Sequence, residues 1–217
     1  TPLTRLELTL AMALKEPENN QRQLERAERE LHKLDDIIGN VLRLAKLENH
    51  EVSIEQDDVD LTDLLSQIIR SCRLEAREKK ITIDSNVEDN LSLIGDEMLL
   101  SFAFDNVIRN AIKYSPNDSS ISVSSAQESG VINITIQDQG CGVDEHELEQ
   151  LFVPFFRGKQ AMQESNGAGL GLAIASKAIM RHGGTIYAEN IVSDKPDSSG
   201  DILGLSVSIK LPVNVKA

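Results

Sequence analysis

The sequence predicts an α+β chain in two parts, a helical hairpin over residues 1–52 and a mixed α/β domain over residues 53–217. Three features carry this expectation. Apolar residues recur every seven positions through the first part, the pattern of helices packed side by side. From residue 53 onward, helical and strand periods alternate. Finally, Gly167, Gly169 and Gly171 run into the apolar helical pattern Ala173-Ile174-Ala175, which brings bare backbone to the start of a helix.

Within the hairpin, Leu3, Leu6, Leu10 and Ala13 follow a helical spacing until Pro17 and Asn19-Asn20 interrupt it. Leu24, Leu31, Ile38 and Ala45 then recur at sevens, interleaved with Ala27, Leu34 and Val41. Two helices alone bury such a seam poorly, so the spacing predicts a dimeric four-helix bundle. In the second part, Ser53–Val59 reads as a strand, and Asp60 or Thr62 caps a helix running to about Lys80. Short strands follow at Ile81–Val87 and Leu91–Ile94, then a strong helix over Glu97–Tyr114. Ile121–Ala126 and Val131–Asp138 form a hairpin around Glu128-Ser129-Gly130. A helix from Leu170 to His182 leads through Gly183-Gly184 to strand Thr185–Glu189, and a last strand covers roughly Leu203–Leu211. The expected assembly is one mixed sheet with helices on one face. Lys159–Asn166 and Val192–Asp201 read as flexible connections.

Charge narrows the function. Lys and Arg total 22 against 35 Asp and Glu, for a net charge of −13, which argues against a nucleic-acid surface. The first fifty residues are nearly neutral, so the acidity belongs to the second part. A polyanionic ligand there would need a metal ion and a few well-placed cations. Cys72 and Cys141 are too few for a disulfide framework or a zinc site, and a reducing cytoplasm is the expectation. No apolar run is long enough to span a membrane, so the chain is expected to be soluble. Thr1 is not an initiator Met, and the chain is expected to be a fragment.

On the helix over 97–114, Asn106, Asn110 and Lys113 share one face with Leu99, Phe102 and Ala103. Two amide oxygens one turn apart suit a hard cation such as Mg²⁺; the plain alternative is satisfaction by backbone groups. Lys113 could then serve as a phosphate cation and Tyr114 as a ring beside a base. Along strand 131–138, Ile132, Ile134 and Ile136 point inward, and by the same period so does Asp138. An inward carboxylate needs hydrogen-bond donors, and an exocyclic amine such as adenine N6 qualifies. Gly140 and Gly142 would let backbone close around a flat ligand, or simply make a turn. Phe152-Val153-Pro154-Phe155-Phe156-Arg157 reads as a core anchor or a lid hinge, with Arg157 and Lys159 within reach of phosphates. The Gly167–Gly171 loop matches neither a dinucleotide fingerprint nor a Walker A loop.

Taken in order, Asn-x-x-x-Asn-Ala-x-Lys-Tyr, Asp-x-Gly-x-Gly, Phe-x-Pro-Phe-Phe-Arg and Gly-x-Gly-Leu-Gly-Leu resemble the ATP-binding domain of sensor histidine kinases. Thr1-Pro2-Leu3-Thr4-Arg5-Leu6 resembles the tail of that family's phosphoacceptor box, and the whole is closest to the CpxA-like envelope-stress sensors. The resemblance implies a Bergerat ATP-binding sandwich behind the dimeric bundle, with ATP and Mg²⁺ as ligands. It places Asn106 and Asn110 at the metal, Asn110 more directly. Asp138 falls on adenine with Tyr114, Gly140 and Gly142 nearby, and Gly167, Gly169, Leu170 and Gly171 on the phosphates, with Lys113 and Arg157 in catalysis. The implied activity is transfer from ATP to a histidine, then to an aspartate of a response-regulator receiver domain. The implied parent is a homodimer at a bacterial inner membrane.

One departure matters. The family's acceptor histidine and the glutamate after it would sit four and three positions before Thr1, which itself matches a position linked to regulator dephosphorylation. His32, His50, His146 and His182 do not match the acceptor and read as surface or structural residues. Two other readings stay open: an ATP-hydrolysing machine of the gyrase and chaperone type, and a non-catalytic module that docks a regulator. The first usually needs a carboxylate on the 97–114 helix to activate water, and Asp105 lies in that region.

Overall fold

The structure, a computed structural model, describes residue 4 and residues 20–49, 56–159, 168–193 and 201–213. The expected first helix, with Leu3, Leu6, Leu10 and Ala13, lies outside the described residues. So do Thr1, His50, Gly167 and most of the two connections expected to be flexible. By its contacts the chain divides into two compact units, Thr1–Lys46 and Leu47–Ala217.

Helix α1, Asn20–Glu48, carries the heptads. Its two interleaved rows differ within one chain. Leu24, Leu31 and Ile38 are 51%, 53% and 56% exposed, whereas Ala27 and Leu44 are buried. The first row therefore faces outward, while the second is buried at Ala27 but reaches the surface at Val41, 39% exposed; the buried Leu44 lies on neither row.

The second unit opens with β1, Asp57–Asp60, and α2, Leu61–Glu78. Asp60 caps α2 by accepting the Asp63 N–H at 2.8 Å. Thr62, the other candidate cap, ties the 88–91 turn instead. Its hydroxyl donates to the Glu88 carbonyl at 2.9 Å and accepts the Leu91 N–H at 3.0 Å. Next come β2, Thr82–Asn86; β3, Ser92–Gly95; α3, Glu97–Tyr114; β4, Ser120–Glu128; and β5, Val131–Gln137. Two short 3-10 turns, Glu145–Glu147 and Glu149–Phe152, precede α4, Gly171–Arg181, then β6, Thr185–Val192, and β7, Ile202–Pro212.

The strands do not all join one sheet, contrary to the sequence expectation. Five form a mixed sheet in the order β2-β4-β5-β7-β6, in which only β2 and β4 run parallel. β1 and β3 pair with each other, antiparallel. Each of these two short strands leads directly into a helix, so their ladder fixes the starts of α2 and α3 side by side. Val59 and Leu93 on that ladder are buried against the common core.

Alternation along β4, β5 and β7 turns Ile121, Val123, Ile132, Ile134, Ile136, Val207 and Ile209 into the core shared with the helices. α3 contributes Leu100, Ala103, Phe104, Val107, Ile108, Ala111 and Ile112, all essentially inaccessible. Burying a side chain such as Phe104 is worth about 1.5–3 kcal/mol.

Both ends of α3 are clamped. At its start Asp96 accepts the Leu99 N–H at 3.0 Å, and the Asp96 N–H donates to His182 Nε2 at 2.9 Å. His182 Nδ1 in turn sits 2.7 Å from the Ala178 carbonyl, which fixes the neutral tautomer with its proton on Nδ1. At the other end the Lys79 ammonium donates to the carbonyls of Ile112, Lys113 and Ser115 at 2.9, 2.7 and 3.2 Å. These are carbonyls that a helix end leaves without partners.

Two outcomes follow. Lys79→Met should destabilise the second unit by about 1.5–3 kcal/mol in urea unfolding, since charge-assisted bonds are lost at once. Burial, the largest influence, holds His182 below its ordinary value of 6.5. The unfolded chain therefore binds this proton more readily, and the stability His182 contributes above 6.5 is lost as pH falls through the lowered value. Unfolding free energy should decline as pH falls below about 7 in the wild type, and less steeply in His182→Gln.

Candidate nucleotide site

The site gathers around the end of β5. Asp138 is buried, with only 7% of its surface exposed. Its N–H pairs with the Leu205 carbonyl of β7 at 2.9 Å. Its Oδ1 accepts the N–H groups of Gly140 at 2.8 Å and Leu205 at 3.1 Å. Both bonds fall on one oxygen, so among the described residues Oδ2 remains available. Burial pushes the carboxyl above the ordinary carboxylate range, while the two backbone donors act in the opposite direction. An ionised Asp138 is thus costly, and a ligand that donates to Oδ2 relieves that cost.

Asn110, Tyr114, Asp138, Gly140, Gly142 and Lys159 line one cavity. Asn110 is half-buried, and among the described residues its amide has no hydrogen-bond partner. The Lys113 ammonium stands 5.1 Å above the Tyr114 ring centre, a cation–π contact on the helix surface, and Lys113 is not among the cavity-lining residues. The remaining wall was not legible in the sequence. Val143, Leu151 and Leu205 supply apolar surface, and Cys141, Asp144, Glu147 and Gly158 complete it. Leu205 arrives from the far end of the chain through the β5–β7 pairing, for which no local pattern exists.

The glycine loop meets the same helix at Asn106. Asn106 donates its amide N–H to the Phe102 carbonyl at 2.7 Å, which turns its oxygen toward Gly171. A β-carbon on residue 171 would stand 2.6 Å from that oxygen. Gly169 adopts φ +69°, and its carbonyl accepts the Phe155 N–H at 2.8 Å. A β-carbon there would meet the Phe156 carbonyl oxygen at 2.5 Å and Arg157 Cγ at 3.2 Å. Phe155 itself holds φ 65°, an uncommon conformation for a bulky residue. The Phe152–Arg157 segment is therefore bound to the glycine loop by backbone geometry. Leu170 is buried and its side chain fills the interior. α4 has no side-chain cap at its first turn, which leaves N–H donors for an anion.

Two family profiles match the chain. One, described as histidine kinase-, DNA gyrase B- and HSP90-like ATPase, covers residues 95–215. The other, the His Kinase A (phospho-acceptor) domain, covers residues 1–50. The chain belongs to the sensor histidine kinase family. The chain is 34% identical over 172 residues to the sensor-like histidine kinase SenX3 of Mycolicibacterium smegmatis, covering 79% of this chain and 45% of SenX3. It is also 34% identical over 192 residues to the sensor histidine kinase CpxA of Escherichia coli K12, covering 88% of this chain and 41% of CpxA. The chain thus spans less than half the length of these curated relatives. In fold it resembles histidine kinase ThkA, solved in complex with response regulator TrrA. The TM-score is 0.76 at 20% identity, over 99% of this chain and 58% of that one. No helix among the described residues is long and apolar enough to cross a membrane.

The glycine loop gives a direct comparison. Gly130 also has positive φ, yet a β-carbon there meets nothing within 4 Å. Gly130→Ala should cost only the backbone strain of about 1–2 kcal/mol. Gly169→Ala adds a collision with backbone and should lower the melting temperature clearly further; calorimetric melts of the two variants make the comparison.

Proposed function

We propose that this chain binds Mg-ATP in the cavity between α3, the end of β5 and the glycine loop. We further propose that its intact parent transfers the γ-phosphoryl group to a histidine and then to an aspartate of a response-regulator receiver domain. The observation that carries the reading is the half-satisfied Asp138. A buried carboxylate with one oxygen saturated by backbone and the other facing a cavity walled by Tyr114 and Leu151 matches the amino edge of adenine.

The amide oxygens of Asn106 and Asn110 suit Mg²⁺. Asn106 is oriented by Phe102, and Asn110 has no competing partner among the described residues. When bound, the ion would neutralise charge on the phosphates. The chain's own groups would position them: the uncapped start of α4, the backbone at Gly167, Gly169 and Gly171, and the cations Lys113, Arg157 and Lys159. A water-activating carboxylate is not supported. Asp105, the candidate on α3, accepts both bonds from Arg109 Nε at 2.9 and 2.8 Å and faces Cys72 of α2. That engagement favours phosphoryl transfer to a side chain over simple hydrolysis.

The outward row Leu24, Leu31 and Ile38 supports a homodimer through the helical unit. The complex of ThkA with TrrA supports a response regulator as the partner. Dephosphorylation of the regulator, with Thr1 at the position the family uses, belongs to the same reading.

Calorimetric titration tests the site. Asn110→Ala should weaken ADP binding chiefly in the presence of Mg²⁺. Asp138→Asn should weaken adenosine binding with or without the ion, by about tenfold to a hundredfold, the value of one bond to a charged acceptor. Wild-type affinity in both variants would overturn the reading. For the dimer, Ile38→Lys should give monomers by light scattering while nucleotide binding persists, because facing ammonium groups would be desolvated at the seam.

A further inference from the structure

Beside the nucleotide cavity, Asp144, His146 and Glu147 bring three potential ligand atoms within 4.8 Å of one another. The 3-10 turn Glu145–Glu147 does this locally, closed by the Glu147 N–H on the Asp144 carbonyl at 2.8 Å. The three differ in environment. Asp144 and His146 are exposed, with His146 Nε2 3.9 Å from Asp144 Oδ2. Glu147 is only 8% exposed and lines the cavity, and among the described residues no donor or cation pairs with its carboxylate. The turn holds the Glu147 carboxylate within reach of the Asp144 and His146 ligand atoms, so a cation bound there would meet three donors at once. Glu147 Oε2 is aimed at the Gly158 backbone, where a β-carbon would lie 2.9 Å away. Positive charge is already drawn to the cluster, since the Lys159 ammonium stands 3.3 Å from Asp144 Oδ2.

We propose that Asp144, His146 and Glu147 bind a divalent first-row transition ion of the Zn²⁺ class, at a site separate from the two asparagines. One imidazole and two carboxylates form a nitrogen–oxygen set that suits Zn²⁺ or Co²⁺, whereas an imidazole is a poor ligand for Mg²⁺ or Ca²⁺. Three protein ligands leave a coordination position for water. The ion would replace the Lys159 ammonium at Asp144 and supply the partner that Glu147 lacks. Because Asp144, Glu147 and Lys159 all border the cavity, occupancy would alter nucleotide affinity, a consequence that rests on the nucleotide reading above.

Co²⁺, added to the full chain without nucleotide and followed by visible absorption, tests the site. One ion should bind per chain. His146→Ala and Glu147→Gln should each weaken binding at least about tenfold, and His32→Ala should leave it unchanged. His146 is exposed, so its variant tests ligation without disturbing the core. Equal Co²⁺ affinity in wild type and both variants would overturn the proposal, as would a signal abolished only by Cys141→Ser. Zn²⁺ should then shift adenosine affinity in the wild type and not in His146→Ala. Failure of adenosine to bind at all would count against the nucleotide reading alone, because the Co²⁺ titration stands independently of it.

Discussion

The second unit depends on holding one helix at a fixed height above the sheet. α3 carries an apolar face that is almost wholly inaccessible, and its sliding is opposed at both ends. Lys79, the residue that terminates α2, places its ammonium among three carbonyls at the end of α3. Asp96 and His182 join the start of α3 to the end of α4. Asn106, Asn110 and Tyr114 lie on this helix, so their positions are set by contacts outside the site.

Specificity arises from a different economy. Asp138 sits where strand alternation sends side chains inward, and two backbone donors satisfy only half of it. That leaves a directional acceptor in a largely apolar cavity, a stronger discriminator than a fully hydrated carboxylate. The glycine loop ends at a helix start that carries no side-chain cap. Its path is fixed by Gly169, whose carbonyl receives the Phe155 N–H and whose left-handed backbone leaves no space for a side chain.

Much of this was legible in the residues. The 3.6-residue period marked α3 over Glu97–Tyr114, and the period of two placed Asp138 on the inner face of the hairpin. Those are local patterns with strong alternation. What escaped depends on long-range pairing. β1 and β3 form their own ladder because each opens into a helix, which strand propensity does not encode. Leu205 reaches the cavity only through the β5–β7 register, and Lys79 finds its carbonyls 33 to 36 residues away. Glu147 is one of several acids between residues 144 and 149, and only the turn that buries it sets it apart. In α1 the heptads were plain, but which of their positions a single chain leaves exposed was not.

The central claim is that Asp138 reads the amino group of adenine through its free oxygen. Calorimetric titration of the wild-type chain with ADP and with GDP, both with Mg²⁺, tests it most directly. Guanine presents a carbonyl where adenine presents an amine, and a carboxylate facing it would be repelled and left unpaired. The account predicts GDP binding weaker by at least about a hundredfold, or roughly 2.7 kcal/mol. Equal affinities for the two nucleotides would contradict it.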